Sequence, residues 1–276
     1  MEEWPSGYGV RLESAWEQSL AGSSPASSAT LDVAIDAFNA SLFMRIIFLN
    51  SWFGEAGKPF FDFIKKESSK TDIFCFMEFT PDLFIKVSEI LTGHTGFIEK
   101  GMVLESKGVV DCQVIFTRKD INVTASGKLN LYKNATNDVG FGSFVIFEKE
   151  GKIINLLNIH GKSQPGHKMD TPARIKQSKI LIDFFKDKNG PKIIGGDFNL
   201  NLDTKSVKMF EESGYRNLIR DYKIKNTRNE LSWKQFNNVQ HFADYVFVSK
   251  DVKVKKFEVP YLEISDHLPL ILDFEA

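Results

Sequence analysis

The chain has 276 residues, is 42% hydrophobic and carries a formal net charge of −1, which allows a sizeable core in one large domain or two small ones. That charge argues against extensive gripping of a duplex, which calls for a clear basic excess, but leaves room for a local basic cleft. No apolar run approaches the roughly 20 residues that cross a bilayer, and Glu2 and Glu3 stand where a secretory leader would be basic, so the expected location is the cytoplasm.

In chain order, residues 1–43 stand apart. SLAGSSPASSAT has little to bury and predicts a flexible N-terminal extension, with a short amphipathic helix in LDVAIDAFNASLF. The expectation is that the functional protein starts at or near Met44, that the extension is not part of the native protein, and that residues 44–276 form one catalytic domain. Strands are predicted at 45–50 and 72–78, each followed by a helix, at 58–67 and 81–91. Strands follow at 109–118, 121–132 and 141–149, then a Glu150-Gly151 turn and a strand at 152–160. A long helix at 171–188, with Ile175, Ile180, Leu181 and Phe184 facing inward, stops at Gly190-Pro191. Beyond it come a strand at 192–194, a helix near 204–212, a loop-rich stretch to residue 238, and strands at 242–249, 252–259 and 268–274. The 25 Phe residues read as core packing. Cys75 and Cys112 read as reduced, buried residues, with one disulfide the only possible pairing.

PKIIGGDFNL, residues 191–200, is the densest signal. Gly195-Gly196 predicts a tight turn after the strand, which leaves Asp197 and Asn199 two residues apart and on one face if the backbone stays extended. A carboxylate there can orient a water or hold a metal, and an amide NH2 can donate to an oxyanion. GGD is equally an ordinary strand exit with a capping Asp. The other strands show the same habit: Asn50 ends the first, Glu78 the second, and His160 ends IINLLNI. Asp244 lies within the apolar FADYVFVS, and Asp266-His267 precede LPLILDF. Singly, Asn50 or Ser265-Asp266-His267 reads as a turn, and His160 as a hydrogen-bonded loop residue. Glu78 and Asp244 are harder to dismiss, because a carboxylate in an apolar strand is costly without a partner. Six such coincidences favour one shared pocket at a sheet rim.

FLN, Met77-Glu78, NIHG, GGDFN, ADYVFV and SDHLPL occur in an order that resembles the endonuclease/exonuclease/phosphatase superfamily, the deoxyribonuclease-I-like fold, over essentially all of 44–276. Two positions depart from its pattern: Met77 stands where Gln is usual before the glutamate, and Phe242 where Arg often precedes Asp244 by two. The resemblance implies an α/β fold, a four-layer α/β/β/α sandwich of two packed mixed β-sheets flanked by helices. It also implies hydrolysis of a phosphodiester or phosphomonoester by activated water with Mg2+ as cofactor, Mn2+ substituting. Glu78 is then the expected direct ligand, with Asn50 and Asp266 as further metal ligands. His267 would be the general base, Asp244 would fix its tautomer, and His160 and Asn199 would contact phosphoryl oxygens. The role of Asp197 stays open between sharing that water and binding a second metal.

For substrate binding, the loop GKSQPGHK, with Lys162, His167 and Lys168, joins Arg174 and Thr227-Arg228 in an expected basic mouth. Each lysine also fits a solvated surface loop. Trp52 and Trp233 read as packing residues. The expected partner is a phosphoester substrate, with nuclease action possible but extended duplex binding disfavoured. The alternative is a non-catalytic binding module that retains the fold.

Overall fold

The computed structural model describes residues 43–105, 107–132, 140–234 and 239–275. The expected N-terminal extension lies outside these residues, except Phe43, which begins the first strand. The described strands, in chain order, are β1 (Phe43–Asn50), β2 (Ile73–Phe79), β3 (His94–Leu104), β4 (Val109–Arg118), β5 (Asn122–Asn130), β6 (Phe141–Lys149), β7 (Lys152–His160), β8 (Lys192–Asp197), β9 (Arg216–Asn217), β10 (Asp244–Val248), β11 (Lys253–Glu258) and β12 (Leu270–Glu275). They form two six-stranded sheets, ordered β11-β12-β1-β2-β4-β3 and β5-β6-β7-β8-β10-β9. Both are mixed, with β1–β2 and β7–β8 parallel among antiparallel neighbours. The helices are α1 (Lys58–Glu67), α2 (Pro81–Ile90), α3 (Pro172–Phe185), α4 (Lys205–Glu212) and the single turn α5 (Leu218–Asp221). This is the four-layer sandwich expected above.

Strand periodicity explains the layering, because successive side chains face opposite ways. In β1, Ile46 and Phe48 enter the core shared with the second sheet, where Leu157, Ile159 and Ile194 lie. Ile47 and Leu49 enter a second core with Phe60, Phe63 and Ile64 of α1 and Leu83 and Val87 of α2. Burial on both faces makes β1 and β2 read as continuous apolar runs. Phenylalanines fill this space: Phe74 stacks on Phe76, Phe76 on Phe79, and Phe84 on Phe116. Cys75 and Cys112 are both buried and free, so no disulfide joins them.

Three elements differ from the sequence reading. Strand β3 was not anticipated, because Gly96 and Gly101 interrupt a half-exposed edge. A Cβ at Gly96 would lie 2.6 Å from the Phe84 ring, and one at Gly101 2.5 Å from Phe141, so packing selects glycine there. The fully buried face of α3 is Arg174, Gln177, Ser178, Leu181 and Phe185; of the residues expected inward, Leu181 is there, Ile180 and Phe184 pack partly buried beside the core, and Ile175 is only half-buried. Its first half packs on polar loop backbone, which an apolar-periodicity argument cannot see.

The third difference is at Gly195-Gly196, which lies inside β8 and is not a turn. A Cβ on Gly195 would meet the Phe48 ring at 2.6 Å, and Gly196 has φ +125° with the Ile159 carbonyl 2.3 Å from its would-be Cβ. Glycine lets one sheet approach the other just before Asp197. Gly196→Ala is therefore expected to lower unfolding free energy by about 3 kcal/mol or more, read as a lower denaturation midpoint with an unchanged m-value.

Candidate active site

Strand register builds the site. His160 on β7 is the cross-strand partner of Asp197 on β8, and Asp197 is the partner of Asp244 on β10. Three functional groups thus form one row across the second sheet. The first sheet supplies Asn50 and Glu78 at the ends of β1 and β2. Glu78 sits where the pairing of β2 with β4 shifts between Phe76 and Phe79, with φ +48°. Such a bulge re-aims a side chain. The Ser51 hydroxyl holds it by donating to the carbonyls of Met77 at 2.9 Å and Glu78 at 2.6 Å.

The second oxygen of Asp197 is the hub. Asn50 Nδ2 donates to Asp197 Oδ2 at 3.2 Å and to Glu78 Oε1 at 3.2 Å. His160 Nε2 lies 3.7 Å from both of those carboxylate oxygens, and His267 Nε2 lies 3.8 Å from Asp197 Oδ2. The other Asp197 oxygen accepts from the Asn199 backbone N–H at 2.8 Å, which fixes the strand exit and seats Asn199 at φ +55°. An Asn tolerates that left-handed conformation better than most residues. Asn199 Nδ2 donates to the Gly161 carbonyl at 3.2 Å.

His267 Nδ1 is 2.9 Å from both oxygens of Asp244, which orients Nε2 toward Asp197. The Thr227 hydroxyl accepts from the backbone N–H groups of Ala243 and Asp244. Arg228 forms an antiparallel bridge with His267, and Asn229 Nδ2 donates to the carbonyls of Leu262 and Ser265. The loop-rich stretch before β10 thus fixes the SDH segment, and the sequence reading gave Thr227 and Asn229 no such role.

Electrostatics follow from this crowding. Burial works against a charged His267, but Asp244, Asp266 and Asp197 outweigh it and raise the imidazole to about 9. Burial also disfavours charge on Asp197, yet His267, Lys168 and His160 hold it down at about 2. Burial raises Asp244 against the pull of His267. The pair retains its shared proton above neutral pH, on the imidazole.

Asn50, Glu78, His160, Asp197, Asn199, Asp244 and His267 therefore meet in one place. Asp266 flanks His267, and its carboxylate accepts from Ser265 Oγ at 3.3 Å. The Asn50 amide turns its NH2 toward the carboxylates and bridges Glu78 and Asp197, while its oxygen accepts from Trp52 N–H at 3.0 Å and keeps a second lone pair. One expected role changes. Arg174 is wholly buried, and its guanidinium donates to the carbonyls of Lys162, Ser163, Pro165 and Met169. It holds the loop together from beneath and does not line a mouth. Lys162 lies with its ammonium 5.5 Å from the centre of the Tyr132 ring. Arg228 donates to Gln240 at 3.1 Å, and Gln240 reaches Gly166 of the same loop at 2.7 Å.

The oxygens present suit a hard divalent cation. Glu78 Oε1 has only a neutral amide donor at hydrogen-bonding distance, the Asn50 Nδ2 that it shares with Asp197 Oδ2. Asp197, Asp244 and His267 also offer ligand atoms within 4.8 Å of one another, although the His267–Asp244 bond already occupies two of those groups.

The sequence reading passed over Asp111, on β4. It is fully buried, and neither carboxylate oxygen has a hydrogen-bond partner among the described residues. The signal was available, since an acid in the apolar run VVDCQVIF meets the criterion that singled out Asp244. Burial raises this carboxyl from 3.8 to about 7, against the pull of His160. A raised acid destabilises the fold progressively as pH climbs from its unfolded value to its folded one. Asp111→Asn should therefore gain stability relative to the wild type between pH 4 and 7.5, by up to about 4 kcal/mol, read from melting curves without added metal.

A family model described as the Endonuclease/Exonuclease/phosphatase family matches residues 47–267. The chain belongs to the endonuclease/exonuclease/phosphatase family. Among solved structures, a family member from Bacteroides vulgatus superposes with TM-score 0.68 at 19% identity, over 84% of this chain and 98% of that one. A mannosyl-6-phosphatase from Bacteroides thetaiotaomicron gives 0.64 at 18%, over 84% and 100%. At these identities the superpositions establish the fold. A phospholipase C of Staphylococcus aureus is 28% identical over 161 residues, 45% of this chain. The chain spans about half the length of that relative, 47%. No helix among the described residues is long and apolar enough to cross a membrane.

Proposed function

We propose that this endonuclease/exonuclease/phosphatase-family chain is a divalent-metal-dependent phosphoesterase, hydrolysing a phosphodiester or phosphomonoester by direct attack of water. The observation that carries this reading is the convergence on Asp197 Oδ2 of Asn50 Nδ2 at 3.2 Å, His160 Nε2 at 3.7 Å and His267 Nε2 at 3.8 Å. An acid, two imidazoles and an amide around one point suit acid–base chemistry on a charged substrate.

Glu78 and Asp266 would hold the ion, Mg2+ or Mn2+, which supplies charge neutralisation on the phosphoryl oxygens when bound. Neutral His267 takes a proton of the attacking water at Nε2 as the new P–O bond forms and the ester P–O bond breaks, the departing oxygen taking its proton from solvent, and Asp244 stabilises the imidazolium that results. Asp197 orients that water through Oδ2. The NH2 of Asn199 and the ring of His160 donate to phosphoryl oxygens as charge develops there. Arg228, across the loop contact through Gln240, draws the anionic substrate toward them. Similar proteins include a phospholipase C and a mannosyl-6-phosphatase, which supports keeping both kinds of ester in view.

The test is hydrolysis of bis-p-nitrophenyl phosphate and p-nitrophenyl phosphate with Mg2+ or Mn2+, abolished by EDTA. Phosphate-ester binding without turnover of any ester would instead establish a binding module.

A further inference from the structure

We propose that Lys168 is a catalytic residue of this site: its ammonium contacts a non-bridging phosphoryl oxygen and stands where a second divalent cation would otherwise sit, so one metal ion per chain suffices. The proposal rests on the phosphoesterase reading and names the group that completes it.

Lys168 is the only buried residue between 162 and 170, in a stretch where Pro165, Gly166 and His167 are exposed. It is 6% exposed, against 48% for its neighbour Met169. Lysine is the residue type least suited to that position, since an ammonium loses its hydration on burial. A direct carboxylate contact does not compensate: among the described residues, no ion pair includes Lys168. Its Nζ donates instead to a neutral acceptor, Asn199 Oδ1. A buried cation with only an amide for company has two further N–H groups to offer.

The backbone makes the same point. Lys168 adopts φ +55°, a strained conformation for a long side chain. Its carbonyl is held by the Asn201 N–H at 2.7 Å, and Arg174 ties the carbonyls on both sides of it. The loop is built to turn this one side chain inward. The charges that act on it come from the site and the loop around it: burial lowers the Lys168 pKa, Asp197 and, more weakly, Asp244 oppose that shift, and Arg228 and Arg174 add to it.

Asn199 is fixed by the same contact. With Oδ1 taken by Lys168 and one N–H by Gly161, its second N–H and the ammonium form adjacent donors beside Asp197. A cation here repels a second divalent ion from Asp197 and supplies the charge that ion would have brought.

The test uses Lys168→Met and Lys168→Gln in the full chain, with melting curves to confirm that each folds. Calorimetric titration with Mn2+ should give one site per chain in the wild type, and neither variant should bind that first ion more weakly. Inorganic phosphate, titrated in saturating Mn2+, should bind both variants about 10-fold or more weakly, and kcat should fall ~10²- to 10³-fold. Gln retains a donor to Asn199 but no charge, so its matching loss would separate charge from positioning. Ethylamine should restore part of the activity of Lys168→Ala. Two Mn2+ sites in the wild type, or unchanged phosphate affinity in both variants, would overturn the proposal. A wild type inert toward every phosphoester would overturn the phosphoesterase reading, while the phosphate titration would still decide whether Lys168 meets the anion.

Discussion

Replacing His267 with Ala should lower kcat by about 10³- to 10⁴-fold while leaving divalent-ion binding intact. The imidazole is 4% exposed and turned by two 2.9 Å contacts to Asp244, a carboxylate partner that His160 lacks at hydrogen-bonding distance. The pH profile is the sharper readout. A base must be neutral to accept a proton, and with His267 raised to about 9 the metal-free protein holds it protonated at pH 7. Asp244→Asn removes the carboxylate that contributes most to that rise. The rising limb of kcat should then move to lower pH even as its plateau falls. The linked stability effect has a definite sign. A group raised in the fold stabilises fully below its unfolded pKa of 6.5 and loses that contribution as pH rises through about 9. Metal-free wild type should thus lose melting temperature between pH 6.5 and 9 more steeply than His267→Ala. An unshifted rate profile in Asp244→Asn would remove His267 as the base.

Glu78→Gln should separate metal from chemistry. The side chain retains its length and can still meet Asn50, but it no longer carries charge. A ligand that binds only the folded state raises stability by RT ln(1 + [L]/Kd), about 2.7 kcal/mol at 100 times Kd. Wild type should therefore melt several degrees higher in excess Mn2+, and Glu78→Gln should lose most of that increment along with ~10³-fold or more in kcat. Without metal, the variant should melt at or above the wild-type temperature, because a carboxylate is removed from beside Asp197 and its mutual repulsion is relieved. A full Mn2+ increment in Glu78→Gln would move the ion elsewhere, with Asp197 and Asp244 the next carboxylates to test.

Departures from the family pattern also acquire a structural setting. Met77, where Gln is usual, lies buried with its sulfur 3.1 Å from the would-be Cβ of Gly196. It therefore packs against the glycine that brings the two sheets together. Phe242, where Arg is frequent, packs partly buried against the core.

Much of this protein is legible from residue order alone. Short apolar, β-rich runs bounded by polar or turn residues marked β1, β2, β4, β6 and β7 within a residue or two, and Glu150-Gly151 forms the tight turn between β6 and β7, with φ +53° and +74°. Acids, amides and histidines at strand ends pointed to one pocket, because a strand end is a fixed place on a sheet rim. Local pattern could not supply what depends on a neighbour distant in sequence. β3 is selected by rings that pack over its glycines, and the inner face of α3 by loop carbonyls that need Arg174. Gly195 and Gly196 lie within β8 because Phe48 and Ile159 press against them from other strands. Asp111 and Lys168 show the same limit at the site: one reads as part of an apolar strand, the other as a surface lysine. Their burial becomes visible only when the sheets close and the loop folds under, since desolvation is a property of surroundings and not of composition.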